Sequence, residues 1–409
     1  MTLMETKTVK HLLVALATAA SLVHAGDVLA QKKYDTGATD TEIKLGQNMP
    51  YSGPASAYGS LGRTQVAFFK MINEQGGING RKVNLISLDD GYSPPKTIEA
   101  IRRLVENDEV LALFGTLGTP TNSAIHRYAN QKKMPHLFVS SGAGKWNDPK
   151  NFPYTVGFQP NYVAEGKVFA AHIIATHPGA KIAILWQNDD FGKDYLIGVK
   201  QGLGDKASML VADASFEVTD PTVDSQILTL RSSGADVLVN AGSPKPAAQA
   251  IKKTAAIGWK PTQYITNVSA TVGSVLKPAG LEASTGLITT QFMKDPSDSQ
   301  WDNDAEINTY KAFMKKYYPE GDINDQLNLL AYSSANAMTY VLKQAGDNLT
   351  RENLMKIATN LKDVRMPGTL PGLLLNTSPT NHGPLSMLRM TRFDGKQWLG
   401  FGEPISAGK

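Results

Sequence analysis

The sequence predicts an α/β protein built from two doubly wound, Rossmann-like lobes. Three observations carry that prediction. Short apolar runs alternate with stretches whose apolar residues recur every three to four positions, as parallel strands joined by helices require. The pattern pauses near residue 160 and then restarts with a second series of similar size. A chain of 409 residues also exceeds what one ordinary core organises.

Each element follows from its local pattern. The run 43–47 reads as a strand ahead of a helix over 61–74, with Val66, Phe69 and Ile72 on one face. A strand at 83–88 precedes a helix at 95–107, where Ile98, Ile101 and Val105 share a face. A strand at 110–114 precedes a helix at 119–131, and a strand at 134–139 closes the set of four. The second series begins with a helix at 162–177 and a strand at 181–186. It continues through a helix at 190–203, a strand at 209–216 and a helix near 223–232. Strand 237–240, helix 244–257, strand 264–266 and strand 287–292 complete it. Helices at 304–318, 327–346 and 351–361 follow, and 386–393 with 397–401 alternate as a hairpin around Asp394–Gly395. The expected division is 41–158 plus 293–385 for an N-terminal lobe and 159–292 plus 386–409 for a C-terminal lobe.

The first 30 residues read as an export signal. Lys7 and Lys10 precede an apolar, Ala- and Leu-rich stretch over 12–23, and small-residue exits follow at Ala25 and Ala30. Cleavage is expected after Ala30, with Ala25 as the other exit. Without a Cys after the apolar stretch, the lipid-anchored route has no attachment point. No later run of about 20 apolar residues occurs, so an exported, soluble, periplasmic protein is expected. Zero Cys excludes a disulfide scaffold, thiol catalysis and Cys-ligated zinc. The net charge of +4 is small and its Lys and Arg are scattered, which gives nucleic-acid binding no support. A 42% apolar and 19% charged composition is that of a globular chain.

No catalytic constellation emerges. The seven His residues match no metal-ligand spacing, and pairs such as His126/His136 and His172/His177 are expected on surfaces or helix faces. Gly-rich nucleotide loops and the G-x-S-x-G elbow do not occur. Asp89–Asp90 and Asp189–Asp190 sit at strand ends, where helix caps and turns account for them better than acid–base chemistry. The expectation is a binding protein with no enzyme activity, no metal and no cofactor.

A row of short polar and aromatic side chains does recur where strands hand over to helices, the rim on which open α/β sheets present ligand contacts. The segment MPYSGPASAYG, residues 49–59, supplies Ser52 and Tyr58. Thr116, Thr119, Thr121, Ser140 and Ser141 complete the first-lobe row. Trp186, Asp190, Phe191, Asn240, Ser243, Thr266 and Asn267 form the second. Hydroxyls beside helix N-terminal N–H groups make an anion cradle, and Gly115 and Gly118 let backbone approach a small molecule.

MPYSGPASAYG, INEQGGINGRKVNLISLDDGYSP and LFGTLGTPTNSAI resemble the periplasmic ligand-binding proteins of branched-chain amino acid-type (Leu/Ile/Val-binding-like) ABC importers, over essentially all of the chain after the signal. The resemblance implies a type I, Venus-flytrap fold with three hinge crossings and delivery of a solute to a membrane permease. It places the first-lobe aromatic contact on Tyr58 and the carboxylate-holding hydroxyl on Thr119. Backbone contacts after the fourth strand fall on Ser140, Ser141 and Gly142; Phe191 and Ser243 are the second-lobe contacts. Amino-acid-binding members carry a hydroxyl at Gly142 and, near Val268, an acid that pairs with the ligand ammonium. A buried ammonium without an acid is costly. Either Asp190 substitutes, or the ligand has no α-ammonium and carries a carboxylate or amide head, an aromatic or aliphatic acid being favoured, its body covered by Phe191 and Phe158; the second is favoured. Tyr92 and Gly118 stand where some members have a disulfide, and a ring beside a glycine there is expected to fill space, not to bind. The expected assembly is a monomer. Amino-acid binding and a sensory ligand-binding module are the alternatives.

Overall fold

The computed structural model describes residues 32–406; the export signal expected over residues 1–30 lies outside them. The first sheet is fully parallel, with spatial order β3-β2-β4-β5-β6. Its strands are β2 Glu42–Met49, β3 Lys82–Asp89, β4 Ala112–Phe114, β5 His136–Val139 and β6 Thr155–Gly157. Crossover helices α1 Gly59–Glu74, α2 Pro94–Glu106 and α3 Thr119–Gln131 connect the first four. Each begins within two residues of its sequence-based start; for α2 and α3, Pro94 and Pro120 occupy first-turn positions where a missing N–H costs nothing. The short strand β6 and a two-residue ribbon, β1 Lys33–Tyr34 with a later Asn348–Leu349, have no counterpart in the sequence reading.

The second sheet repeats the plan. From α4 Tyr162–Thr176 the chain runs through β7 Ile182–Gln187, α5 Asp190–Leu203, β8 Leu210–Phe216, α6 Asp224–Ser232, β9 Val237–Ala241, α7 Pro244–Ala256, β10 Thr262–Ile265 and β11 Ile288–Gln291. Those strands lie in the order β8-β7-β9-β10-β11 and are parallel. After β11 the chain returns to the first lobe as α8 Ala305–Tyr317 and α9 Gln326–Ala345, then β12 Asn348–Leu349 and α10 Arg351–Ala358. The hairpin β13 Met387–Phe393 and β14 Trp398–Ser406 then extends the second sheet antiparallel to β11. Three passages between the lobes result, between β6 and α4, β11 and α8, and α10 and β13.

Burial explains the assignments. In α9, Leu329, Ala331, Ala335, Met338, Val341 and Leu342 are fully buried, and the helix packs across α1; each such Leu contributes about 1.5–3 kcal/mol. Lys294, in the second passage, is buried and held by Asp304 at 2.6 Å and Glu306 at 2.9 Å. Among the described residues no helix is long and apolar enough to cross a membrane.

His136, in β5, corrects the expectation of a surface or helix-face position, and His126, on the α3 helix, is buried as well. His136 Nε2 lies 2.6 Å from Thr116 Oγ1 and 3.0 Å from Asn122 Oδ1, and His126 stacks on Phe152. Burial lowers His126 to about 4 and His136 to about 3. Both are neutral when folded and gain protons on unfolding, so their stabilisation is complete above about 6.5 and lost as pH falls toward those values. His136→Gln should therefore flatten the fall in stability between pH 6 and 4 by roughly 1.4 kcal/mol per pH unit. Chemical denaturation across that range measures it, and an unchanged slope would contradict the assignment.

Candidate functional site

In both sheets the first and third strands of the series are neighbours whose crossovers leave in opposite directions, so the loops after them splay apart and leave a crevice at the strand ends. The two crevices face each other. One cavity lies between them, with about 50 Å³ open to the centres of water molecules. The first lobe contributes Tyr58 from the loop after β2, Leu117–Thr119 after β4, and Ser140 and Ser141 after β5. The second contributes Phe191 after β7, Ser243 after β9, and Asn267 and Val268 after β10. Hinge residues Gln159, Gln291, Phe292 and Met293 and the first turns of α9, Leu327 and Leu330, close the remaining sides.

The loop 49–59 is pinned by Asp89, which accepts from Tyr51 N at 2.9 Å and Ser52 N at 3.1 Å. This holds the short turn Ser56–Tyr58 against the cleft, and the Tyr58 hydroxyl donates to Val268 O of the opposite lobe at 3.4 Å. Lys145 pairs with Asp190 at 2.5 Å, and Gly144 N donates to Asp194 Oδ2 at 3.0 Å. The lobes are therefore closed on one another.

The first-lobe wall ends in hydrogen-bond donors. A parallel bridge between Leu117 and Ser140 extends the β4–β5 pairing and sets Thr119 beside Ser141, with hydroxyls 2.7 Å apart. Ser141 Oγ also accepts from Trp146 Nε1 at 2.9 Å and Ala143 N at 3.3 Å. A hydroxyl has two lone pairs and one proton. With both lone pairs engaged, Ser141 donates to Thr119, and the Thr119 proton is free for the cavity. Thr119 also opens α3, so its N–H has no intrahelical acceptor and sits at the positive end of the helix dipole. Together these groups suit a carboxylate.

The second-lobe wall differs. Behind it, Glu165 of α4 is fully buried and accepts four hydrogen bonds. Thr290 Oγ1 and Asn267 N reach Oε1 at 2.8 and 3.0 Å; Tyr195 OH and Asn267 Nδ2 reach Oε2 at 2.5 and 2.9 Å. Burial pushes this carboxyl up to about 7, against the pull of those donors. Asp189 caps α5 through Phe191 N and Gly192 N, which fixes the Phe191 ring at the cavity; burial raises Asp189 to about 6. Among the described residues lining the cavity, none carries a charged side chain.

Of the residues singled out from sequence, Tyr58, Thr119, Ser140, Ser141, Phe191, Ser243, Asn267 and Val268 come together here. Two do not. Phe158 is buried in the first-lobe core, edge-on to Phe138 at 5.8 Å, and does not reach the cavity. Gly142 lies behind the wall, where an added Cβ would stand 2.1 Å from Pro160 O and 2.6 Å from the Tyr162 ring. Asp190 is likewise absent from the lining, its carboxylate committed to Lys145 and Ser123, with the Lys145 ammonium outweighing burial to hold it below the usual range. Ser52 and Trp186 stand outside it too. Tyr92 packs on Gly118 as expected, 2.6 Å from where a Cβ would be, yet its ring also lines the cavity. Gly118 adopts φ +101°, which a side chain would strain.

The sequence matches the periplasmic binding protein family over residues 42–397. The Leu/Ile/Val-binding protein homolog 1 of Brucella abortus (strain 2308) is 25% identical over 328 residues, 77% of this chain and 82% of that protein. A branched-chain amino acid ABC transporter structure from Thermus thermophilus with bound valine superposes with a TM-score of 0.82 at 17% identity, covering 91% of this chain and 98% of that one. A fatty acid ABC transporter substrate-binding protein from Thermomonospora curvata gives 0.74 at 21% identity, covering 92% and 95%. With a family match across both lobes and the type I, Venus-flytrap architecture described above, this chain belongs to the periplasmic binding protein family.

Proposed function

We propose that the protein captures a small carboxylic acid without an α-ammonium between its lobes, 41–158 plus 293–385 and 159–292 plus 386–409, and delivers it to an ABC permease. The observation that carries this reading is a closed cavity lined from both lobes with no charged side chain. A zwitterionic amino acid would bury its ammonium there without a carboxylate contact, at a cost of several kcal/mol. A lone carboxylate meets the Thr119 hydroxyl, its N–H and the α3 dipole, while Tyr58, Tyr92 and Phe191 cover an apolar body. Ligand shifts the open–closed population because contacts from both walls exist only when the lobes meet.

Branched-chain amino acid binding is the second reading, favoured by the Brucella relatives and by the valine held in the Thermus structure. A thermal-shift screen separates the two. Benzoate, cinnamate or a short branched fatty acid at about 100 times Kd should stabilise by roughly 2.7 kcal/mol. Stabilisation by leucine or valine and by none of the acids would overturn the first reading.

A further inference from the structure

We propose that Glu165 is a positioning residue that fixes the Asn267 amide with Oδ1 toward the cavity, so that the site selects a carboxylic acid bearing a second, separate hydrogen-bond donor, a hydroxyl or amide N–H. The inference rests on the ammonium-free reading above and names the other end of that ligand.

An ionised carboxylate offers about four lone-pair positions. The four donors on Glu165 divide two to each oxygen, so none is left for a ligand. Asn267 directs its backbone N–H and one of its two Nδ2 protons to Glu165. Asn267 lines the cavity, and its Oδ1 is buried and without a hydrogen-bond partner among the described residues. An acceptor in that state costs about 1–3 kcal/mol unless a ligand donor reaches it. Ser243 Oγ, on the same wall, is also buried without a partner. The first-lobe wall thus offers donors from Thr119, and the second offers the Asn267 acceptor beside a Ser243 hydroxyl that can donate or accept. A monofunctional acid would satisfy one wall only.

Glu165 sets the orientation of the Asn267 amide. In Glu165→Gln the new NH2 must face one of the two donor pairs. Toward Asn267 N it would meet a backbone N–H that cannot reverse. Toward Tyr195 and Asn267 Nδ2 it meets a hydroxyl that can rotate and an amide that can flip. The second arrangement wins, and the flipped amide turns Nδ2 to the cavity, replacing an acceptor by a donor.

The test is calorimetric titration of the purified protein with two pairs of acids. In each pair one member can donate and the other can only accept: 2-hydroxy-4-methylpentanoate against 4-methyl-2-oxopentanoate, and 4-hydroxybenzoate against 4-methoxybenzoate. Leucine is the fifth compound. In the wild type, the donor acid of at least one pair should bind about tenfold tighter than its partner. In Glu165→Gln that ratio should fall by about tenfold or invert, a response that general loosening of the wall does not produce. Asn267→Ala keeps three of the four bonds to Glu165 and decides the matter if Glu165→Gln does not fold; there the ratio should approach one. Acids that bind without donor preference, or a preference that survives both substitutions, would overturn this inference alone. Leucine binding to the exclusion of all four acids, or binding by none of the five compounds, would overturn the ammonium-free reading and the inference with it.

Discussion

Gly142→Ser should destabilise the protein by about 3 kcal/mol or more, the range of backbone-level clashes in a packed site. The resemblance noted above implies a hydroxyl residue at this position in amino-acid-binding members, so the substitution looks harmless in sequence. Here the Cβ would lie 2.1 Å from Pro160 O, and the Tyr162 ring blocks the other side. Gly142 O also accepts from Tyr162 N at 2.8 Å, which ties the loop after β5 to the start of α4 across the first hinge passage. The chain must move there, and the hinge with it. Gly157→Ala is the control, since its Cβ would meet only Trp146 Cβ at 3.4 Å, an ordinary contact. Denaturant midpoints should separate the two variants clearly. Equal, small losses would mean that the hinge tolerates a side chain at Gly142.

Thr119→Val should weaken binding of a carboxylate ligand by about 10- to 100-fold, the worth of one hydrogen bond to a charged group. Valine keeps the shape and the backbone N–H of Thr119, so the loss belongs to the hydroxyl. A neutral carboxamide should lose less, because its bond to the hydroxyl is not charge-assisted. Comparing benzoate with benzamide in both proteins measures this. Trp146, whose Nε1 donates to Ser141 Oγ beside Thr119, supplies the fluorescence signal. An equal loss for acid and amide would remove the carboxylate from this wall.

The lobes were legible in sequence because their strands and crossover helices differ in apolar period, and because Pro94, Pro120, Pro244 and Asp189 mark helix starts locally. The ribbon of Lys33–Tyr34 with Asn348–Leu349 was not, since two residues carry no period and their pairing spans over 300 positions. Nor was β6, whose three buried residues, Thr155–Gly157, alternate too briefly to register. Site residues in strand-to-helix loops could be read, because turn chemistry is local. Gln159, Gln291, Phe292 and Leu330 could not, because only the return of the chain through the hinge brings them to the cavity. Phe158 was misplaced for a related reason: aromatic character does not reveal which side of a hinge strand a ring faces, and this one faces Phe138. Glu165 carries no sequence signal beyond its place in the first turn of α4, and its bonds to Asn267 and Thr290 join it to residues more than 100 positions away.

Small-angle X-ray scattering tests closure on a small acid most directly, with the protein measured alone and with whichever benzoate-type or short branched acid gives the largest thermal shift. The predicted result is a smaller radius of gyration at saturation. The bound profile should match the closed arrangement in which Tyr58 reaches Val268 O and Lys145 meets Asp190. Stoichiometric binding of the acid with an unchanged, open profile would contradict a cleft that closes on its ligand.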